Sequence, residues 1–333
     1  MGACSSFTCS STDGRHFLGR TYDEYGTIDA NRVAVIPRGH SVALTFTGDE
    51  RQATDYAVVG MDVAMFPTPL LTDGVNEHGL MGAMLYFPHY CKFNTRRADY
   101  DVNAGLLLPF VLGKAANLDE VEKLLKHVNV IDEPSTGMTL PHHYIFSDPS
   151  GEAIVAEPLE GGLKVYRHTM GVLTNSPDHN WHLTNLNNYL GTSNRAKPAQ
   201  LVNGHEISEM GEGSGWFGLP GDYSPASRFV RLAFAKDCMP EPADETDAVT
   251  KMLNTFATVD VPMGIMYDPD EAAPHYEQTQ CTIIMCAESK RYYFTSATNS
   301  RVCVVDLDEE ISEGTTELKL IKPPLQQDIL QLK

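Results

Sequence analysis

Cys4 is the residue whose position invites chemistry. A lone cysteine is ordinarily a small buried hydrophobe, but only Met1, Gly2 and Ala3 precede this one. Cutting the Ala3–Cys4 bond would put a free α-amine on the residue that carries the thiol. Such an amine titrates at roughly 7.7–8.0, so it can take the thiol proton near neutral pH while staying within reach of the sulfur. One residue then supplies both nucleophile and base. Downstream, Gly19-Arg20-Thr21-Tyr22-Asp23 offers a cation and a carboxylate that a first strand would carry back beside the chain start. Arg20 and Asp23 are three apart and face opposite ways on a regular strand, so a bend near Thr21 is expected if both serve one site. Standing alone, the pair reads as readily as a surface ion pair of little value. Cys281 and Cys286 with His142 and His143 match no zinc spacing, and two strand residues five apart point to opposite faces, so no metal is expected. Trp181 with His182, and Trp216 with Phe217, read as packing residues.

The elements that must position these groups follow from periodicity. Residues 16–22 and 33–37 alternate as strands do. Between 103 and 131, apolar residues recur at three- and four-residue spacing, which predicts two helices, with Pro109 near the start of the first and Asn117 capping the second. Three short strands at 143–147, 152–157 and 163–167 are separated by Asp148-Pro149-Ser150-Gly151 and Gly161-Gly162, an antiparallel meander. A helix opening at Ser224-Pro225 and running to Asp237, a second over 246–257, and strands at 282–285, 291–295 and 302–306 complete the series. Strand blocks alternating with helical pairs suit two antiparallel sheets packed together with helices outside, an α+β layered domain. From 185 to 221 the chain is rich in Asn, Gly, Ser and Pro and lacks periodicity; a loop of that length is usually functional or used in assembly. No linker divides the chain.

The chain has 333 residues, 42% of them hydrophobic, enough for a large core. Its 25 Lys and Arg against 44 Asp and Glu leave a formal charge of -19, which would repel nucleic acid and anionic lipid. An anionic substrate would need a local positive group in its pocket. The first residues show neither a basic stretch nor an apolar run of signal length, so a cytoplasmic enzyme is expected. No apolar segment is long enough to span a membrane. The seven cysteines are odd in number and scattered, and are expected to be reduced.

Several blocks carry a family likeness: Cys4-Ser5-Ser6, Gly19-Arg20-Thr21-Tyr22-Asp23, the run from Asp73 through Gly74-Val75-Asn76-Glu77-His78-Gly79 to Tyr86, Thr174-Asn175-Ser176-Pro177, Leu183-Thr184-Asn185-Leu186, Gly218-Leu219-Pro220-Gly221-Asp222 and Ser227-Arg228-Phe229. In this order they resemble the penicillin V acylase and conjugated bile salt hydrolase family. The resemblance implies an N-terminal-nucleophile hydrolase, folded as a four-layer αββα sandwich over 4–333, with residues 1–3 as a propeptide. It implies Cys4 as the nucleophile, accessible and with a lowered pKa, and Arg20 and Asp23 beside it. Asp23 would hold the Cys4 amine. Asn175 Nδ2 and the Tyr86 N–H would form the oxyanion hole, and Arg228 would be the distal arginine of the site. The charges of Arg20 and Arg228 would favour the thiolate and hold an anionic substrate.

One position divides this family. Bile salt hydrolases generally carry Asn where this chain has Tyr86, and penicillin V acylases resemble it in having Tyr. The expectation is therefore an amidohydrolase acting on penicillin V, with conjugated bile salts or N-acyl homoserine lactones as alternative substrates. A non-catalytic protein that binds acylated amines is the alternative from another class. Loops at 61–66 and 87–90 would shape the acyl pocket. No cofactor is implied, and the family's usual state predicts a homotetramer with 185–221 as its assembly hairpin.

Overall fold

The computed structural model describes residues 2–26, 31–64, 66–95, 98–133, 136–137, 139–268 and 275–332. Met1 of the expected propeptide and Met65 of the loop expected to shape an acyl pocket lie outside them. Two antiparallel sheets dominate. The first runs in spatial order Val172–Leu173, Cys4–Ser10, His16–Tyr25, His275–Cys286, Arg291–Ser296, Asn299–Asp306, with Met266–Asp268 also paired to the fourth of these. The second runs Gly162–Tyr166, Ala153–Leu159, His142–Ser147, Met81–Tyr86, Leu71–Asn76, Val58–Asp62, Arg32–Ile36, Lys319–Ile321.

Three apolar clusters define four layers. Helices α1 (Leu107–Lys114) and α2 (Leu118–Leu125) cover the outer face of the second sheet through Leu107, Leu108, Val111 and Val121. Cys4, Leu18, Val59, Val75, Leu85, Ile283 and Met285 fill the space between the sheets. The first sheet's outer face, with Phe7, Phe17 and Ile284, packs on α4 (Pro225–Cys238) and α5 (Glu245–Phe256) through Phe229, Leu232, Met252 and Phe256. Two further short helices, α3 (His179–Asn185) and α6 (Leu307–Ser312), lie along the chain. The molecule is the expected αββα sandwich of N-terminal-nucleophile hydrolases.

The predicted helices are in place. Asn117 caps α2 by accepting from the Glu120 N–H, and Ser224 caps α4 from the Ser227 N–H. The strands that sequence reading passed over, Val58–Asp62, Leu71–Asn76 and Met81–Tyr86, are almost wholly buried. Covered by a helix on one side and a sheet on the other, they have no reason to alternate apolar with polar residues. Residues 185–221 are not structureless: Gln200–Val202 pairs with His205–Ile207 around Asn203-Gly204, both at positive φ, the signature of a tight hairpin turn.

No bend is needed at Thr21. His16–Tyr25 is one strand, and the irregularity lies opposite it, where the register of His275–Cys286 shifts between Thr279 and Cys281. Leu18 accordingly faces the second sheet and Phe17 the helices. Gly19 on the helix side leaves room for the Phe256 ring, which an added methyl would meet at 2.7 Å. Cys281 and Cys286 face opposite layers, as their spacing requires, and all seven cysteines are unpaired. Among the described residues no helix is long and apolar enough to cross a membrane.

The Asp73–Tyr86 block explains much of the fold's inner edge. Asn76 is fully buried, and its amide donates to the Leu112 and Ala115 carbonyls at the end of α1, at 2.8 and 2.7 Å. Its oxygen accepts from the His78 and Leu80 N–H groups at 3.0 Å, so one side chain closes a strand turn and ties it to a helix. Asn76→Ala would strand these four backbone groups. We expect it to lower stability by about 2–4 kcal/mol, read as a drop in the urea midpoint; an unchanged midpoint would contradict this role.

Candidate active site

Cys4 opens the strand Cys4–Ser10, which pairs with His16–Tyr25 so that Cys4 lies opposite Tyr22. Its side chain points between the sheets. Arg20, two residues along the partner strand, points the same way and donates from Nη2 to Cys4 Sγ at 2.9 Å. The guanidinium is fully buried and its other donors are taken: Nε by the Thr21 carbonyl at 3.2 Å, Nη1 by the Thr72 carbonyl at 3.0 Å and by Asp73 Oδ2 at 3.4 Å. Asp73 in turn accepts from Thr72 Oγ1 at 2.9 Å and from the Tyr292 hydroxyl at 2.5 Å. Burial pushes the Asp73 carboxyl up against the pull of Arg20.

From the helix side a second arginine reaches the same residue. Arg228 on α4 is fully buried and donates from Nη1 to the Cys4 carbonyl and to Ser5 Oγ, from Nη2 to Asn175 Oδ1 at 2.6 Å, and from Nε to the Tyr223 carbonyl at 2.9 Å. Asn175 follows the edge strand Val172–Leu173, and its Oδ1 also accepts the Cys4 N–H at 3.0 Å. Its Nδ2 donates to the Tyr86 carbonyl at 2.8 Å. An amide nitrogen has two hydrogens, so one remains to be offered. Phe87 N–H bonds across to Pro141, so in the antiparallel pattern Tyr86 turns both its N–H and its C=O to the other edge, beside Asn175. The carbonyls of Thr174 and Asn175 are gripped by His143 Nε2 and His182 Nε2, each at 2.9 Å.

Asp23 is also at the site, but on the opposite face of its strand from Arg20. Its carboxylate accepts from Thr279 Oγ1 at 2.6 Å and from Thr21 Oγ1 at 3.3 Å, and burial raises its pKa to about 7 despite the pull of Arg228. In the uncleaved chain it does not hold the Cys4 nitrogen, which Asn175 takes. Against the larger effect of burial, the Asp23 backbone, with Arg20 and Arg228, favours the Cys4 thiolate.

With Gly2 and Ala3 in place the site is covered. The thiol is not accessible or low in pKa in this chain: Cys4 is 4% exposed with Gly2 and Ala3 buried beside it, and desolvation raises its pKa more than Arg20 lowers it. Both guanidinium groups are fully buried, and four of the five N–H donors of each meet acceptors of the protein itself. Of the supposed packing residues, His182 is buried and stacks on Phe229 at 4.6 Å, whereas Phe217 is 94% exposed. Sequence reasoning missed Tyr292 and Glu277, which lie on late strands and carry no motif. It quoted Asp73 without a role.

The chain matches the model of the linear amide C–N hydrolases, choloylglycine hydrolase family, over residues 4–319. It is 31% identical over 325 residues to a bile salt hydrolase/transferase of Clostridium perfringens, covering 96% of each chain. It is 33% identical to a conjugated bile acid hydrolase of Lactobacillus acidophilus, covering 94% of this chain and 98% of that one. A solved variant of the conjugated bile acid hydrolase from Clostridium perfringens superposes with a TM-score of 0.88 at 30% identity, covering 99% and 100% of the two chains. The penicillin V acylase of Agrobacterium tumefaciens shares the fold, with a TM-score of 0.73 at 22% identity over 95% and 90%. Cys4 thus stands at the first matched residue of a nearly full-length alignment, and the chain belongs to the choloylglycine hydrolase family of linear amide C–N hydrolases.

Proposed function

We propose that Cys4 becomes the N-terminal residue by loss of Met1-Gly2-Ala3, and that the mature chain hydrolyses the amide of glycine- or taurine-conjugated bile acids through a thioester. The observation that carries the mechanism is the convergence of Arg20 on the Cys4 sulfur with Asn175 and Arg228 on the Cys4 backbone. The substrate rests on the full-length relatives, which are named for bile salts, whereas the likeness to a penicillin V acylase speaks to the fold alone.

Maturation begins with attack of the thiol on the Ala3 carbonyl carbon. The S–C bond forms, the Ala3–Cys4 C–N bond breaks, and the thiol proton ends on the Cys4 nitrogen; water then cleaves the thioester. In turnover the new amine takes the thiol proton and the thiolate attacks the substrate amide. The spare Asn175 N–H and the Tyr86 N–H hold the oxyanion, a pair whose single loss typically costs about 10²–10³ in rate. The Cys4 ammonium protonates the leaving amine, and water activated by that amine releases the acid. Arg20 favours the thiolate at the moment it forms. Once the pro-segment has gone, Asp23 on the strand beneath is the carboxylate that orients the amine.

A second reading, penicillin V hydrolysis, is favoured by Tyr86, whose ring sits beside the oxyanion donors and would stack on a phenoxyacetyl group. Such stacking is worth roughly 0.5–1.5 kcal/mol, about tenfold in preference. We also propose a homotetramer assembled through 185–221, supported by the bare side chains of Leu190, Leu201, Ile207, Met210 and Phe217, from 56% to 106% exposed.

Intact-mass measurement of active protein is expected to give a chain beginning at Cys4, and Cys4→Ala to retain the pro-segment and lose hydrolysis; full activity from a chain that keeps Ala3 sinks the maturation scheme. In side-by-side kcat/KM measurements we expect glycocholate or taurocholate to lead penicillin V by at least tenfold, and the reverse order establishes the second reading. Light scattering should show the tetramer of the wild-type chain falling to smaller species in Phe217→Asp with Met210→Asp. A tetramer that survives both changes excludes the hairpin from the interface.

A further inference from the structure

A segment that is to be discarded is nevertheless built into the protein. Gly2 and Ala3 are buried, and the Ala3 N–H donates to Glu277 Oε1. Glu277 is itself only 3% exposed, on the strand His275–Cys286 and in the field of Arg228. On the far side of Ala3, the next N–H, that of Cys4, is held by Asn175 Oδ1 at 3.0 Å. The Ala3 carbonyl, the group the thiol must attack, therefore sits between two anchored N–H groups, one on each side.

Gly2 fits for a steric reason. A Cβ added there would lie 1.8 Å from the Asp23 carbonyl oxygen and 2.9 Å from Glu277 Oε1. The first of these is backbone in the middle of a sheet and cannot retreat. Any side chain at position 2 must lift the segment off Asp23 and with it pull the Ala3 N–H from Glu277.

We infer that Glu277 and the slot it lines are a docking site for the pro-segment, which sets the Ala3–Cys4 bond in register with the Cys4 thiol and admits only glycine at position 2. This rests on the maturation scheme proposed above. Glu277 is a positioning residue: it touches neither the sulfur nor the carbonyl carbon, and acts by fixing the peptide between them. Holding a reacting group within a few tenths of an ångström is what converts contact into reaction. A buried carboxylate bonded to a peptide that later leaves has no reason of mature-state stability to be bonded there. Its partner is lost when the segment goes.

The test compares full-length wild type, Glu277→Gln, Glu277→Ala and Gly2→Val, following by intact mass the fraction that begins at Cys4, with circular dichroism melting of each. Gln keeps an oxygen that accepts from the Ala3 N–H, so Glu277→Gln should mature within about threefold of the wild-type rate. Ala offers no acceptor, and Glu277→Ala and Gly2→Val should each mature at least tenfold more slowly while keeping a wild-type fold. Rescue by Gln is the readout that a merely structural charge would not give. Should Glu277→Ala fail to fold, Gly2→Val decides, because its altered residue lies in the segment that is removed. Maturation of Gly2→Val at the wild-type rate, or a Glu277→Gln chain as slow as Glu277→Ala, overturns the docking site. A wild-type chain that is active and uncleaved overturns the maturation scheme itself, which is a different result.

Discussion

A fully buried arginine donating to a buried thiol is the constraint on which the site depends. Burying a guanidinium costs several kcal/mol unless its donors are met and its charge balanced. Arg20 meets that demand across the sandwich: it belongs to the first sheet, yet its balancing carboxylate, Asp73, and its Thr72 carbonyl belong to the second. Tyr292, again from the first sheet, returns a hydroxyl to Asp73. The contact crosses the interface twice, so the sheets cannot slide past each other without breaking it. A chemical group that must sit on the sulfur thereby sets how the two largest pieces of the molecule meet.

The helix face is organised around the backbone of the same residue. Arg228 hydrogen-bonds the Cys4 carbonyl and the Asn175 amide oxygen, where Arg20 bonds the sulfur. Its own placement comes from the start of α4, where Asp222 accepts from the Ser224 N–H at 2.9 Å and from Ser227 Oγ at 2.6 Å, which holds its carboxyl down to about 2. The Gly218–Asp222 and Ser227–Phe229 blocks are thus one device for aiming a guanidinium. Cys4 is held from both faces of its strand, side chain by one arginine and main chain by the other.

How much of this was legible in the sequence depends on the range of the interaction. Cys4 stood out in the sequence because its distance from Met1 is a covalent fact. Arg20 and Asp23 were correctly expected to face apart, but the expected bend at Thr21 was an error of assumption: a site need not lie on one face of a sheet when the chain's first residues cross its edge. Asp73 stood inside a quoted block without a role, because what it does depends on a partner 53 residues away. Glu277 was invisible for the same reason, standing 274 positions from Ala3. The accessible thiol was an expectation about the chain after cleavage, whereas in the uncleaved chain Gly2 and Ala3 are buried beside Cys4. Tyr86 was read both through its ring and through its backbone N–H, and it is the backbone carbonyl that Asn175 Nδ2 meets.

The pairing of His16–Tyr25 with His275–Cys286 has a consequence for synthesis. The strand that carries Arg20 has its second neighbour some 250 positions later in the chain, and the outer strand Arg32–Ile36 is completed only by Lys319–Ile321. A growing polypeptide can form the Cys4 hairpin early, but the bed beneath it arrives with the last sixth of translation. Such long closures are slow and come late in folding. Cys4 therefore spends most of its time on the ribosome beside an unfinished sheet, and the architecture itself acts as a clock that withholds the thiol's surroundings until almost the whole message has been read.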